Sequence, residues 1–143
     1  MKTSFAKKGD IKRDWFIIDA SDKILGKVAV SASCILLGKQ KPEWTPHIDN
    51  GNFVVVLNAE KIKVSGKKEK DKLYRKHSGY PGGLKTLSFK ELKAKNPCKI
   101  VELSVWGMLP KNIIGRRMIR RLKVYKDGIH PHLAQKPQVL EVR

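Results

Sequence analysis

Residues 15–58 read WFIIDASDKILGKVAVSASCILLGKQKPEWTPHIDNGNFVVVLN, and this stretch decides the fold. Trp15-Phe16-Ile17-Ile18-Asp19-Ala20 is a short apolar run suited to a buried strand. Asp22 stands where a helix N-cap is wanted. Leu25, Val28, Ala32, Ile35 and Leu36 then fall on one helical stripe, and Gly38 supplies the stop. Residues 39–52 contain Pro42, Pro46 and Gly51 and read as a long ordered loop. Phe53-Val54-Val55-Val56-Leu57-Asn58 is a second strand, apolar on both faces as the strands of parallel sheets are. Strand, helix, strand at this spacing specifies an α/β domain with a largely parallel sheet.

Outward from that unit the signals weaken. Residues 1–13 are polar and basic with little periodicity, which predicts an N-terminal arm. Ile62-Lys63-Val64-Ser65 reads as a shorter third strand, and glycines 79, 82 and 83 with Pro81 predict a segment without regular structure. Ser88-Phe89-Lys90-Glu91 is a capping box that opens a helix. In residues 99–106, Val101, Leu103 and Val105 alternate like a strand, while Val101, Val105 and Met108 keep helical spacing; Pro97 favours helix. Ile114, Met118 and Leu122 form a helical seam, Leu122-Lys123-Val124-Tyr125 turns into a strand, and residues 127–143 read as a loop and tail. The 143 residues, 41% of them hydrophobic, form one domain with a packed core.

Charge separates this chain from an ordinary soluble domain. Its 31 Lys+Arg outnumber 13 Asp+Glu, a formal +18. Residues 61–95 carry +9 and residues 111–126 carry +7 without a single acid, so two short blocks hold nearly all the excess. A surface built for solubility mixes signs along its length. Clustered positive charge instead calls for a polyanion, and nucleic acid is the commonest. A membrane is the rival polyanion, but no apolar run approaches the roughly 20 residues of a spanning helix. Cys34 and Cys98 cannot define a disulfide scaffold and predict reduced core thiols. The first fifteen residues have neither an apolar signal core nor a transit-peptide composition, so a cytoplasmic place of work is expected.

The sharpest enzymatic feature is Gly79-Tyr80-Pro81-Gly82-Gly83-Leu84-Lys85-Thr86. It matches a phosphate-cradling G-x-x-x-x-G-K-[ST] loop except that Leu84 replaces the second glycine, where a Cβ crowds the amides that must face phosphate. A nucleotide-dependent enzyme is therefore one alternative, and a free-standing RNA-binding regulator another. His47, His77, His130 and His132 lack the spacing of a four-ligand metal site, and hydrogen bonding or stacking against RNA suits them better. The strongest signal is Gly115-Arg116-Arg117-Met118-Ile119-Arg120-Arg121. On a helix its four arginines form one face opposite the Ile114–Met118–Leu122 seam, with no acid nearby to pair with them. Arginine also suits bidentate phosphate contacts.

Val105-Trp106-Gly107-Met108-Leu109-Pro110-Lys111, followed by Gly115-Arg116 and Leu122-Lys123-Val124-Tyr125, resembles the thirteenth protein family of the large ribosomal subunit. Gly38-Lys39, Lys41-Pro42-Glu43-Trp44-Thr45-Pro46-His47, Asn58-Ala59-Glu60-Lys61, His77-Ser78-Gly79 and Ala134-Gln135-Lys136-Pro137-Gln138-Val139-Leu140 are similar to that family too. The resemblance implies a three-layer α/β/α fold around a small parallel or mixed sheet, with helix over residues 99–109. It also implies a protein that joins the large subunit early in assembly, in contact with ribosomal RNA and neighbouring ribosomal proteins. Combined with the charge blocks, the expected RNA contacts are Lys67, Lys68, Lys70, Lys72, Arg75, Lys76, His77, Gly79, Gly82, Gly83 and Lys85 in one group. Lys111, Arg116, Arg117, Arg120, Arg121 and Lys123 form the other. No catalytic residue, cofactor, metal or small-molecule substrate is expected.

Overall fold

The computed structural model describes residues 6, 7 and 9–142; part of the expected N-terminal arm (residues 1–5 and Lys8) lies outside the described residues, as does Arg143. Strands β1 (Trp15–Asp19) and β2 (Phe53–Leu57) pair in parallel, Trp15 opposite Phe53 and Asp19 opposite Leu57. Helix α1 (Leu25–Leu37) connects them. Beyond β2 come a one-turn helix α2 (Lys68–Asp71), strands β3 (Leu73–His77) and β4 (Leu84–Ser88), then α3 (Phe89–Lys95) and α4 (Pro97–Met108). Helix α5 (Ile113–Ile119), β5 (Leu122–Val124) and β6 (Gln138–Leu140) complete the chain. The main sheet runs β5-β2-β1-β6, with every pairing parallel, and β3 and β4 form a separate antiparallel pair.

The topology follows from handedness. The steps β1 to β2 and β2 to β5 cross the sheet in the same direction, so right-handed crossovers place their helices on the same face. Helices α1 and α4 do pack against each other there. Alternation along the strands points Ile18, Val54 and Val56 into this layer, where they meet Val28, Ile35, Ile100 and Val105 without solvent exposure. The return from β5 to β6 spans the whole sheet, and it lays His132 on the opposite face. There His132 sits 4.9 Å from Trp15, which stacks on Phe53 at 4.3 Å. The α/β class and small sheet are as expected; on this second face the covering layer is a loop with one 3-10 turn, Leu133–Gln135.

Local signals were obeyed where they were complete. Ser88 and Glu91 close the capping box in both directions, at 3.3 and 3.0 Å. Helix α4 resolves the ambiguity of residues 99–106, started by Pro97 and by the Asn96 side chain accepting from the Lys99 N–H at 3.2 Å. Four expectations need correction. Asp22 does not cap α1: it adopts a left-handed turn (φ 56°) and pairs with Lys63 at 2.7 Å on the surface. The Leu25 N–H instead donates to the Lys63 carbonyl at 2.8 Å. Residues 62–65 thus serve as that helix's cap and keep only one bridge, Ile24 to Lys63, in place of a strand. The tail, expected as a loop, contributes β6, whereas the glycine-rich residues 79–83 stay free of regular structure as expected and form the turn of the β3–β4 hairpin. Cys34 and Cys98 are only half-buried, at the margin of the core.

One buried ion pair ties distant parts together. After α5 the chain turns at Arg120, and Arg121 points inward, where it is 6% exposed. Both terminal nitrogens of its guanidinium donate to the Asp49 carboxylate, and Nη2 also reaches the Leu36 carbonyl at 3.3 Å. That carbonyl belongs to the last turn of α1, whose acceptors lack helical partners. Gly51 makes the approach possible: a Cβ there would stand 1.7 Å from the Leu36 carbonyl oxygen and 2.9 Å from Arg121 Nη2. The Arg121 carbonyl in turn accepts from Val54 N at 3.1 Å, so the same residue edges the sheet.

Removing one partner of a buried pair strands the other charge. Asp49→Ala is expected to cost about 3 kcal/mol, lowering the melting temperature by about 10 °C. Adding Arg121→Met to Asp49→Ala is expected to recover part of that loss; thermal melting that shows two fully additive losses would contradict the pairing. A second expectation concerns acid. Burial, and then the neighbouring His130 and Lys123 charges, hold the His132 ring below the usual histidine value of 6.5. The unfolded chain therefore takes up this proton first, so stability is intact above about pH 6.5 and declines as pH falls below it. Melting between pH 7 and 5.5 should show a smaller decline for His132→Gln than for the parent.

Candidate nucleic-acid interface

The first basic group gathers on α2 and the β3–β4 hairpin. Lys67, Lys68 and Lys70 surround the exposed single turn of α2. On β3, Leu73, Arg75 and His77 share one face, and Tyr74 and Lys76 share the other. Tyr74 and its partner Leu87 pack on the core and anchor the hairpin. Beyond them Lys76 lies directly opposite Lys85 on the same face. Gly79 and Gly82 take positive φ, 89° and 71°, and the turn closes through Ser78 N donating to the Gly83 carbonyl at 3.1 Å. His77 Nδ1 accepts from the Gly79 N–H at 2.9 Å, a bond that steadies the turn from within. Among the described residues, none of Lys67, Lys68, Lys70, Lys72, Arg75, Lys76 or Lys85 has an ion-pair partner.

The second group lies on α5 and its flanks. The Asn112 side chain opens the helix by accepting from Gly115 N at 2.8 Å, and Met118 seats it in the core at 3% exposure. This projects Arg116 and Arg117 outward, and Arg120 is exposed at the C-cap. None of the three has an ion pair or side-chain hydrogen bond among the described residues. Lys123, half-exposed on β5, is likewise without an ion pair among them. The expectation of four outward arginines is corrected at Arg121, because α5 ends at Ile119 and the turn that follows aims Arg121 at Asp49. Lys111 is exposed but already engaged: its ammonium donates to the Trp106 carbonyl at the end of α4 and lies 4.4 Å from the Trp106 ring. Helix α4 packs against both α3 and α5, so it braces the two groups.

Other sites named from sequence take ordinary structural places. Residues 79–86 fold as a hairpin turn leading into β4, whereas a phosphate-cradling loop opens onto a helix N-terminus. His132 is engaged within the protein, 2.8 Å from the Tyr125 hydroxyl and tilted against the Trp15 ring at 4.9 Å. His130 Nδ1 accepts from the His132 N–H at 3.1 Å. Burial pushes the Cys98 thiol up, against reactivity. No group of three or more His, Cys, Asp or Glu side chains among the described residues could hold a metal ion. No helix among them is long and apolar enough to cross a membrane.

Residues 13–131 match the family model described as ribosomal protein L13. The large ribosomal subunit protein uL13 of Legionella pneumophila (strain Corby) is 54% identical over 142 residues, covering 99% of both chains. That of Azotobacter vinelandii (strain DJ / ATCC BAA-1303) is 52% identical, over 99% of this chain and all of the relative. That of Alcanivorax borkumensis is 53% identical at the same coverage. A match of this extent, over the α/β core and both basic groups together, leaves one assignment: the chain belongs to the ribosomal protein L13 family.

Proposed function

We propose that this protein is a non-catalytic constituent of the large ribosomal subunit that binds ribosomal RNA and supports early assembly of the subunit. The observation that carries this reading is the exposed set Arg116, Arg117 and Arg120, in a stretch without acids and with no ion pair among the described residues. Like charges at i, i+3 and i, i+4 spacing destabilise a helix, and an external polyanion removes that cost. The exposed cations of residues 67–85 form the second grip, their glycine-rich turn bringing backbone close to phosphate. Arg121 belongs to the fold and is left out of these contacts; Lys111 contributes mainly by finishing α4. The whole chain acts as one domain whose nearly neutral α/β core sets the two basic groups apart at a fixed spacing. Its place would be the cytoplasm, within the ribosome, beside neighbouring ribosomal proteins.

Binding through about 6 phosphate contacts should weaken by ~10³-fold between 50 and 200 mM salt. A filter-binding titration of the protein on large-subunit RNA measures this directly, and a flat salt response would overturn the reading. Changing both Arg117 and Arg120 to Gln keeps helix propensity while removing two repelling charges. The purified double variant should melt at the same temperature or slightly higher, and its abundance in large-subunit gradient fractions should fall. Met118→Asp should do the opposite kind of damage, placing an unpaired charge in the core and unfolding the free protein.

A further inference from the structure

A groove runs between the β3–β4 hairpin and α4, enclosing a cavity of about 530 Å³. Its floor is apolar, built from Tyr74, Leu87, Leu92 and Leu103. Its rim is cationic: Lys72, Lys76 and Lys85 have no ion-pair partner among the described residues, while Lys99 is paired with Glu102 at 3.0 Å. One further feature points to an occupant. Lys76 and Lys85 are cross-strand partners on one face, an arrangement that repels unless an anion lies between them. The rim wants negative charge, and the floor wants a flat apolar body.

We propose that this groove receives one unstacked nucleotide of the bound RNA, its base on the apolar floor beside Tyr74 and its phosphate between Lys76 and Lys85. The proposal rests on the RNA-binding reading and deepens it. An acidic, amphipathic protein segment would meet the same rim, but Arg75 also lines the groove, and further cations, Lys67, Lys68 and Lys70, lie on α2 just before Lys72, which suits the repeated charge of a phosphate backbone. Recognition of bases splayed out of single-stranded loops and bulges is also the usual mode for RNA.

The test compares two RNA hairpins of matched stem sequence, one fully paired and one carrying a single bulged 2-aminopurine. Stacking one base contributes on the order of 1–3 kcal/mol, so the parent should bind the bulged hairpin about tenfold more tightly and quench its fluorescence. Changing both Lys76 and Lys85 to Gln, which removes the two cations set on either side of the phosphate, should shrink that preference several-fold. Leu103→Trp, at a partly exposed position on α4, should fill the floor and abolish the preference; thermal melting confirms that each variant is folded. Equal affinity of the parent for both hairpins overturns the groove proposal and leaves the RNA-binding reading standing. Failure to bind either hairpin at low salt overturns both. If Leu103→Trp keeps the bulge preference but assembled subunits lose a neighbouring protein, the groove is a protein site and the proposal is wrong.

Discussion

The buried pair between Arg121 and Asp49 is the interaction on which the rest of the arrangement depends. Its partners lie 72 residues apart, and the same guanidinium reaches the carbonyl of Leu36 at the end of α1. One side chain thus joins the first crossover helix, the long loop after it, the end of α5 and the entry to β5. Arg13 adds a weaker approach to Asp49, at 3.7 Å, from the segment before β1. Burying such a pair is not a cheap source of stability, because desolvation of both ions offsets most of their attraction. What it supplies here is geometry. The loop of residues 39–52 can take many paths, and the pair, together with Gly51, selects the one that passes the helix end.

The same residue separates two uses of arginine in one short run. Arg116, Arg117 and Arg120 project outward from α5, while Arg121 is turned inward by the end of the helix. Their difference is one of partners: Arg121 has a carboxylate in the fold, and the other three have none among the described residues. Uncompensated charge on a helix seated by Met118 is held in place but not neutralised, which suits a surface completed by a phosphate backbone. On the hairpin, the anchoring pair Tyr74 and Leu87 does for Lys76 and Lys85 what Met118 does for the arginines.

Much of this was legible from residue order because the signals were local. The apolar runs of β1 and β2, the stripe and terminal glycine of α1, the capping box at Ser88 and the proline start of α4 each rest on neighbours a few residues apart. The hairpin was hidden because its strands are mostly exposed, and only Tyr74 and Leu87 touch the core, so no alternation marks them. Strand β6 was hidden for a related reason: Gln138 and Val139 are exposed, and the strand is held by backbone pairing to β1. Both basic groups were visible in the charge pattern. The fate of Arg121 was not, since its partner lies in a different part of the chain and a helical projection simply extended α5 two residues too far.

The central claim is that three arginines of this run face RNA and the fourth holds the fold. Arginine-selective modification with phenylglyoxal, read residue by residue by mass spectrometry in the free protein and in assembled large subunits, tests it most directly. Arg116, Arg117 and Arg120 should be modified in the free protein and protected in the subunit, and Arg121 should resist modification in both. Modification of Arg121 in the free protein as readily as of Arg116, or unchanged reactivity of the other three in the subunit, would contradict the account.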